Sequence, residues 1–508
     1  MTLKRNLKRA CQCIGLSSLI LVGNYGDLLG GGADVRMHTP YALGRICEAQ
    51  IADIFIVALV LFLVLSVAVR TRFYHWVRLI AAIVVPPYLV QRTQSFFPFD
   101  LIEGLVLILL VAWAAVLLLL LLRFNRWYRR VMRAGSVVAA ALIIFAVSSV
   151  GQLLWVATWK PAPNRINAAW ETAAQPARNH PLLVWIVFDE LSYDQVFEHR
   201  ARDLNLPNFD ALRRQSTLFT ETRPAGYHTV KILPSLLTGQ IVDGIRYNFH
   251  NRLWVHYENQ SGWAPLDGRE TVFADADKAG WRTAAVGWYN PYCAVYGDAI
   301  QDCFWTNHDM FDGMMAQNAS LGANIYTPLA QVVRELKSPA RADRDLCTFD
   351  VRHRYQTETD LQQHAFEVLH TDQADFVFLH LAVPHSPNIW SRIQDNYTQY
   401  CDSSYLDNLA LTDKVLGRIV SMLRSSPRWS QTTLIVQGDH GWRINAWNWL
   451  PAWTEEDDAA SRGVFDPRPA MIIHQAGQTA PQTVSKPWPI VQIHNVVEQV
   501  LHGQPPTL

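Results

Sequence analysis

Hydrophobic positions along the chain fall into two textures that meet near residue 160. Before it, apolar residues run almost unbroken. Residues 51–69, 105–122 and 136–156 are each long and apolar enough to cross ~30 Å of hydrocarbon as helices. Residues 11–29, interrupted by Asn24 and Asp27, and residues 77–90, carrying Pro86-Pro87, read as two further spans, although core helices and re-entrant segments share that pattern. After it, the apolar runs shorten. Residues 182–188, 282–288, 375–381, 432–437 and 470–473 are rich in Val, Ile and Phe, as strands buried on both faces of a sheet are. Helix-like stretches at residues 208–214, 270–279, 357–370, 405–423 and 490–501 alternate with them. The expected fold is a bundle of about five transmembrane helices (residues 1–160), then an α/β domain (residues 182–508) whose mostly parallel sheet carries helices on both faces. Residues 161–181, rich in Pro, Ala and Asn, read as an exposed linker. Residues 442–462, with four Trp and several acids, lack periodicity and read as a long loop at the rim of a site.

Charge orients the expected spans. Lys4, Arg5, Lys8 and Arg9 precede the first, Arg70, Arg72 and Arg78 lie between the second and third, and Arg123, Arg126, Arg129, Arg130 and Arg133 precede the last. By the positive-inside tendency these clusters are cytoplasmic, which puts everything after about Lys160 outside a plasma membrane and, in a two-membrane cell, in the periplasm. A signal peptide is the alternative for the first run, but no convincing small-residue cleavage site follows it. Net charge is zero and the exterior half has no long basic run, so nucleic acid is not an expected partner. That half contains Cys293, Cys303, Cys347 and Cys401, an even number that allows three pairings. Cys293 with Cys303 closes a short loop and leaves Cys347 with Cys401; free buried thiols are the alternative.

Chemistry concentrates where the expected strands end. One strand runs into Asp189-Glu190, and another into Asp439-His440-Gly441. Carboxylate and imidazole are good ligands for zinc and similar ions, while helix capping is the bland reading of the acids. The segment His380 to Pro387 follows a third strand and adds His380 and His385 to the same edge. Thr229 precedes a helix expected to begin near Leu233, whose first N–H groups suit a phosphoryl oxygen; a capping role is the simpler alternative.

In this order and spacing the motifs resemble the alkaline phosphatase superfamily, in particular its membrane-anchored, sulfatase-like phosphoethanolamine and phosphoglycerol transferases. The resemblance covers residues 182–503 and the five-span topology. Its nucleophile segment, Thr-x-x-x-Leu-Pro, matches Thr229 to Pro234; its His-x-x-x-x-His-x-Pro matches His380 to Pro387; its Asp-His-Gly matches Asp439 to Gly441. Tyr405-Leu406-Asp407-Asn408, followed by Asp413 and Leu416-Gly417, is similar to the helix between the last two motifs. Three departures matter. Sulfatases place Cys or Ser first, then Pro and Arg, where this chain has Thr229, Lys231 and Leu233, so arylsulfatase activity is not expected. The transferases continue past Asp-His-Gly with Glu, where this chain has Trp442-Arg443. The first motif is an acid pair, which leaves either Asp189 or Glu190 as the ligand.

The resemblance implies a divalent ion, zinc first with manganese or calcium as alternatives, held by Asp189 or Glu190, Thr229, Asp439 and His440. It implies Thr229 as nucleophile through a phospho-threonine intermediate, with His385, His380, Lys231 and Arg443 toward substrate. A phospholipid donor and an envelope glycan or lipid acceptor fit an exterior, membrane-anchored site. Hydrolysis with water as acceptor and a non-catalytic membrane scaffold are the competing expectations. Oligomeric state is left open by the sequence.

Overall fold

The computed structural model describes residues 2–30, 37–71, 74–93, 103–167, 180–247, 252–308, 319–337 and 339–508. The chain divides into two compact units. One comprises Met1–Val35, Ala42–Lys160 and Phe311–Leu336; the other comprises Arg36–Tyr41, Pro161–Met310 and Lys337–Leu508. Residues 168–179, most of the expected linker, lie outside the described residues.

The first unit is helical. Among its described residues two helices are long and apolar enough to cross a membrane, Gly44–Ala68 and Asn125–Ala157. This is fewer than the five spans expected. The first run is divided into Thr2–Ile20 and Val22–Gly30, and the second piece opens with Gly23 and Asn24, both poor helix formers. Tyr25 then folds back, its hydroxyl 2.6 Å from Ser18 Oγ. Tyr74–Thr93 and Glu103–Arg123 are helical too. The arginine-rich stretch expected as a loop is itself helix Asn125–Ala141, continued by Ile143–Ala157. Side-chain hydrogen bonds tie helices together: Gln12 Nε2 donates to Ser136 O and Oγ at 2.7 Å, and Trp113 Nε1 to Ala82 O at 2.7 Å.

The second unit is built on a nine-stranded sheet. In chain order its strands are β1 (Arg165–Ile166), β2 (Leu182–Phe188), β3 (Thr217–Phe219), β4 (Thr283–Trp288), β5 (Asp302–Thr306), β6 (Phe376–Leu381), β7 (Thr432–Gly438), β8 (Met471–His474) and β9 (Gln482–Val484). Their order across the sheet is β1-β5-β4-β6-β2-β7-β8-β3-β9. The central run from β5 to β7 is parallel, while β1, and β8 against both of its neighbours, pair antiparallel. The expected strands are β2, β4, β6, β7 and β8; β5, at the edge of the parallel run, is not among them. The others are short, and β9 has two exposed residues, so neither carries a long apolar run.

Alternation along β2 explains the layering. Leu183, Trp185 and Val187 enter one buried cluster with helices Thr229–Thr238, Val272–Lys278 and Ile493–Leu501. Leu182, Val184, Ile186 and Phe188 enter a second with helices Pro339–Thr371 and Tyr405–Ser425. Each strand side chain points opposite to the next, so a wholly apolar strand supplies two cores at once.

Register positions the site. Phe188 lies beside Leu381 of β6 on one side and Gly438 of β7 on the other, so the three strands end at one level. Asp189 and Asp439 are therefore the first residues beyond adjacent strand ends. Residues 442–462 are not a structureless loop: they contain helices Ile444–Trp447 and Glu455–Ser461, the latter closed by a Thr454/Asp457 capping box. Disulfides join Cys293 with Cys303 and Cys347 with Cys401, with Cα separations of 5.6 and 5.8 Å.

Candidate active site

Thr229 is the first residue of helix Thr229–Thr238, with His228 as its N-cap, four residues earlier than the expected start. Pro234 falls inside this 10-residue helix of nearly three turns and removes one N–H from it. Thr229 Oγ1 lies 3.1 Å from Asp189 Oδ2, 2.8 Å from Asp439 Oδ2 and 3.4 Å from His440 Nε2. All four residues are buried.

Asp439 also organises the backbone: its Oδ1 accepts from the N–H of Glu190 at 3.1 Å and of His440 at 2.9 Å. His440 Nδ1 lies 2.8 Å from Gly441 O. A carbonyl only accepts, so Nδ1 carries a proton, and Nε2 lies 3.2 Å from Asp439 Oδ2 and 3.6 Å from Asp189 Oδ1, where a cation would join them. Gly441 permits that turn, since a Cβ there would meet Asp466 O at 2.2 Å. His380 follows the same logic. Its Nδ1 sits 3.0 Å from Trp288 O, which leaves the Nε2 lone pair 3.8 Å from Asp189 Oδ2.

Charge is strongly perturbed here. Burial raises the cost of ionising Asp189, but the polar and charged groups around it, from His385 to Arg443, hold its carboxyl well below the usual carboxylate range. Asp439 is pushed up by burial and by charged Asp189 beside it. Burial lowers His385 to about 4.

The donor set fits a divalent cation. Ligand atoms of Asp189, Asp439 and His440 lie within 4.8 Å of one another. Asp189 Oδ1 and His380 Nε2 are fully buried and have no hydrogen-bond partner. A lone pair facing a carboxylate in a dry interior is unfavourable until a cation lies between them.

Glu190, the other acid of the pair, has partners of its own. Its Oε1 accepts from Arg443 Nε at 2.7 Å and Trp447 Nε1 at 2.9 Å, and Tyr405 donates to its carbonyl at 2.6 Å. These contacts hold it at φ +66°, a left-handed conformation unusual for a non-glycine residue, and commit its carboxylate to an ion pair. Lys231 is also placed elsewhere: it is one residue past the first turn's site-facing positions, and its Nζ donates to Asp243 O at 2.7 Å.

A cavity of about 300 Å³ opens over Thr229, lined by His228, Trp288, Tyr289, Asn307, Arg354, His385 and Arg443 among others. Arg354 was not anticipated. It lies over the Trp288 ring at 4.2 Å, with Nη2 3.4 Å from His385 Nδ1. A signal for it exists: Val351, Arg354, Glu358, Leu361 and Ala365 form one buried stripe at helical spacing, and two charges on such a stripe are costly without a task.

The family model for Sulfatase matches residues 181–497, more than half of the chain and all the residues just described. The chain belongs to the sulfatase family. It is a sulfatase-like enzyme of the alkaline phosphatase superfamily. No curated protein matches it. Among solved structures it is similar to a protein in the alkaline phosphatase superfamily from Vibrio parahaemolyticus, at 15% identity and TM-score 0.37 over 68% of this chain and 72% of that one. The phosphonate monoester hydrolase of Agrobacterium radiobacter gives 13% and 0.38 over 64% and 74%. The lipoteichoic acid synthase LtaP from Listeria monocytogenes gives 13% and 0.40 over 66% and 75%.

Proposed function

We propose that this sulfatase-family enzyme is a membrane-anchored, metal-dependent phosphoryl-group transferase of the phosphoethanolamine or phosphoglycerol type. Thr229 is its nucleophile. One observation carries the reading: the Thr229 hydroxyl contacts Asp189, Asp439 and His440 at the floor of a cavity whose walls carry Arg354 and Arg443. A hydroxyl so placed can give up its proton, and two guanidinium groups suit the oxygens of a phosphodiester.

A divalent cation held by Asp189, Asp439 and His440, zinc first with manganese or calcium as alternatives, would supply the charge that lowers the Thr229 hydroxyl pKa and offsets the phosphoryl oxygens. His380 backs Asp189, and Glu190 orients Arg443. Thr229 Oγ1 attacks phosphorus and gives up its proton as the bond from phosphorus to the donor's leaving oxygen breaks, and that oxygen takes up the proton, so the donor departs as an alcohol. Phospho-Thr229 remains, still carrying the head-group ester. An acceptor hydroxyl then attacks the same phosphorus as the bond to Thr229 Oγ1 breaks, and its proton passes to Thr229 Oγ1. Charge on the non-bridging oxygens is met by Arg354, Arg443 and the N-terminus of the helix that begins at Thr229.

The donor in this reading is a phospholipid head group, and the acceptor an envelope glycan or lipid. Residues 1–160 anchor the enzyme by about five spans, residues 161–181 link, and residues 182–508 work outside the plasma membrane, in the periplasm where there is one. The basic clusters support that orientation, as do two disulfides, which persist in oxidising compartments.

The test compares envelope lipids and glycans by mass spectrometry between cells with the wild type and with Thr229→Ala. Loss of one phosphoryl-linked group in the variant is the expected result. Unchanged envelope chemistry with Thr229-dependent hydrolysis of phosphodiesters would make the enzyme a hydrolase; loss of neither activity on Thr229→Ala would leave a scaffold.

A further inference from the structure

Two residues of the cavity wall, Tyr289 and Asn307, are held by a residue that lies far away in sequence. His38 falls between helices Val22–Gly30 and Gly44–Ala68, yet Arg36–Tyr41 belongs to the second compact unit. His38 is fully buried. Its ring stacks on Tyr289 with centroids 4.0 Å apart and planes 14° apart. Its Nδ1 lies 2.7 Å from Tyr289 O, and a carbonyl only accepts, so Nδ1 donates. The other nitrogen, Nε2, then accepts from the Tyr247 hydroxyl at 3.0 Å. Asn307 Nδ2 donates to the His38 carbonyl at 3.1 Å. Nearby, the Tyr41 hydroxyl lies 3.0 Å from Thr306 Oγ1 and 3.0 Å from His308 Nε2.

Tyr289 needs such support. It sits at φ +64°, in the left-handed region that a bulky residue enters only when its surroundings over-determine it. It directly follows β4, and the preceding residue, Trp288, carries Arg354 over its ring and holds His380 through its carbonyl. A relaxed Tyr289 would therefore shift the aromatic wall against which the substrate rests, while Thr229, Asp189 and Asp439 stand on other elements.

From this we infer that His38 is a positioning residue for the substrate pocket. The catalytic unit takes the backing of its binding wall from the short segment between two helices of the N-terminal region, and a polypeptide starting at residue 161 lacks that backing. His38 acts on how substrate is held, through Tyr289 and Asn307, and not on the attack by Thr229. This deepens the transferase reading and rests on it.

The test uses the full chain in detergent with bis(4-nitrophenyl) phosphate as probe. His38→Ala is expected to raise KM on the order of tenfold with kcat within about twofold, the pattern of lost uniform binding. His38→Gln, which keeps a donor for Tyr289 O, restores most of the KM. Tyr247→Phe, which removes only the hydroxyl facing Nε2, gives a smaller rise in the same direction and serves if His38→Ala fails to fold. An unchanged KM, or a fall in kcat that tracks a fall in Tm equally in the Ala and Gln variants, overturns the inference. Calorimetric binding of inorganic phosphate in a Thr229→Ala background separates the two readings. Weaker phosphate binding on adding His38→Ala supports the positioning role even if Thr229→Ala leaves turnover intact and the nucleophile reading falls, whereas unchanged phosphate binding rejects the positioning role.

Discussion

Replacing Arg443 with Met tests whether Glu190 is an ion-pair partner or a metal ligand. Glu190 is fully buried, and its carboxylate has two partners: Arg443 Nε at 2.7 Å, and Trp447 Nε1 at 2.9 Å to Oε1 and 3.0 Å to Oε2. Arg443 is buried as well, and Glu190 and Asp189 raise its pKa further against the opposing effect of burial. Met fills most of the arginine's volume, so the loss is electrostatic. It leaves a desolvated carboxylate with a single neutral donor, at a cost of about 3–5 kcal/mol. In a unit of this size that lowers the Tm of the catalytic unit by about 4–7 °C. Adding Glu190→Gln removes the orphaned charge and keeps an acceptor for Trp447, so the double variant recovers more than half of the loss. The assay is thermal unfolding of the full chain in detergent, followed by a near-ultraviolet signal from the Trp-rich segment, with bound metal counted by mass spectrometry. Glu190→Gln alone keeps the metal content of the wild type, while Asp189→Asn does not. Additive losses in the double variant, or a metal equivalent missing from Glu190→Gln, would refute the ion-pair assignment.

Three other outcomes follow from the same geometry. Thr229→Ala lowers phosphodiester turnover by at least about a thousandfold, whereas Thr229→Ser keeps a hydroxyl between Asp189 and Asp439 and retains measurable activity, as single-turnover rates will tell; equal rates for Ala and Ser would contradict a nucleophilic role. Chelation of the metal lowers stability by about 3–4 kcal/mol if the ion is present at 100 to 1,000 times its Kd, and the shift is absent in Asp439→Asn; a chelator-insensitive Tm in the wild type would count against the site. Glu358, fully buried where it accepts from Ala382 N–H at 3.2 Å and Gln362 at 2.9 Å, is pushed up to about 7 by burial. A carboxyl raised in the folded state holds a proton that the unfolded chain releases. Its contribution is therefore complete below the unfolded value and fades as pH rises through the folded one, by about 3 kcal/mol in all. The wild type thus loses more Tm than Glu358→Gln between pH 5 and pH 8, and parallel pH profiles would reject this.

The central sheet was legible in the chain because parallel strands covered on both faces read as solid apolar runs, and β2, β4, β6 and β7 do. Their order was not legible, since pairing is a long-range property. The same limit applies to β1 and β9, which owe their place to a neighbour's free edge and not to their own residues. Asp189, Asp439 and His440 could be read as a group because each follows an apolar run directly, and chain direction in a parallel sheet puts such residues on one edge. For Asp189 against Glu190 the sequence offers no preference, and the structure adds a backbone angle and an ion-pair partner for Glu190. The Trp442-Arg443 departure, visible in the sequence as a missing glutamate, becomes intelligible as that partner.

Arg354, Tyr289 and His38 show why the walls of the cavity were harder to read than its floor. The floor is set by short motifs at strand ends, where a residue's neighbours in sequence are also its neighbours in space. The walls draw on a long helix and a strained turn, the turn backed by a segment that precedes β2 by well over a hundred residues. Each of the three carries a local anomaly: a guanidinium on an apolar stripe, a tyrosine at positive φ, a fully buried histidine in a short segment between two helices in sequence. Such anomalies cost free energy on their own and persist only where other contacts compensate. For Arg354 those contacts are the Trp288 ring and His385, and for Tyr289 they are His38; each lies at or against the cavity above Thr229. The anomalies that the fold must offset thus converge on the same cavity as the motifs, and this agreement between independent signals is the physical reason to place substrate recognition there.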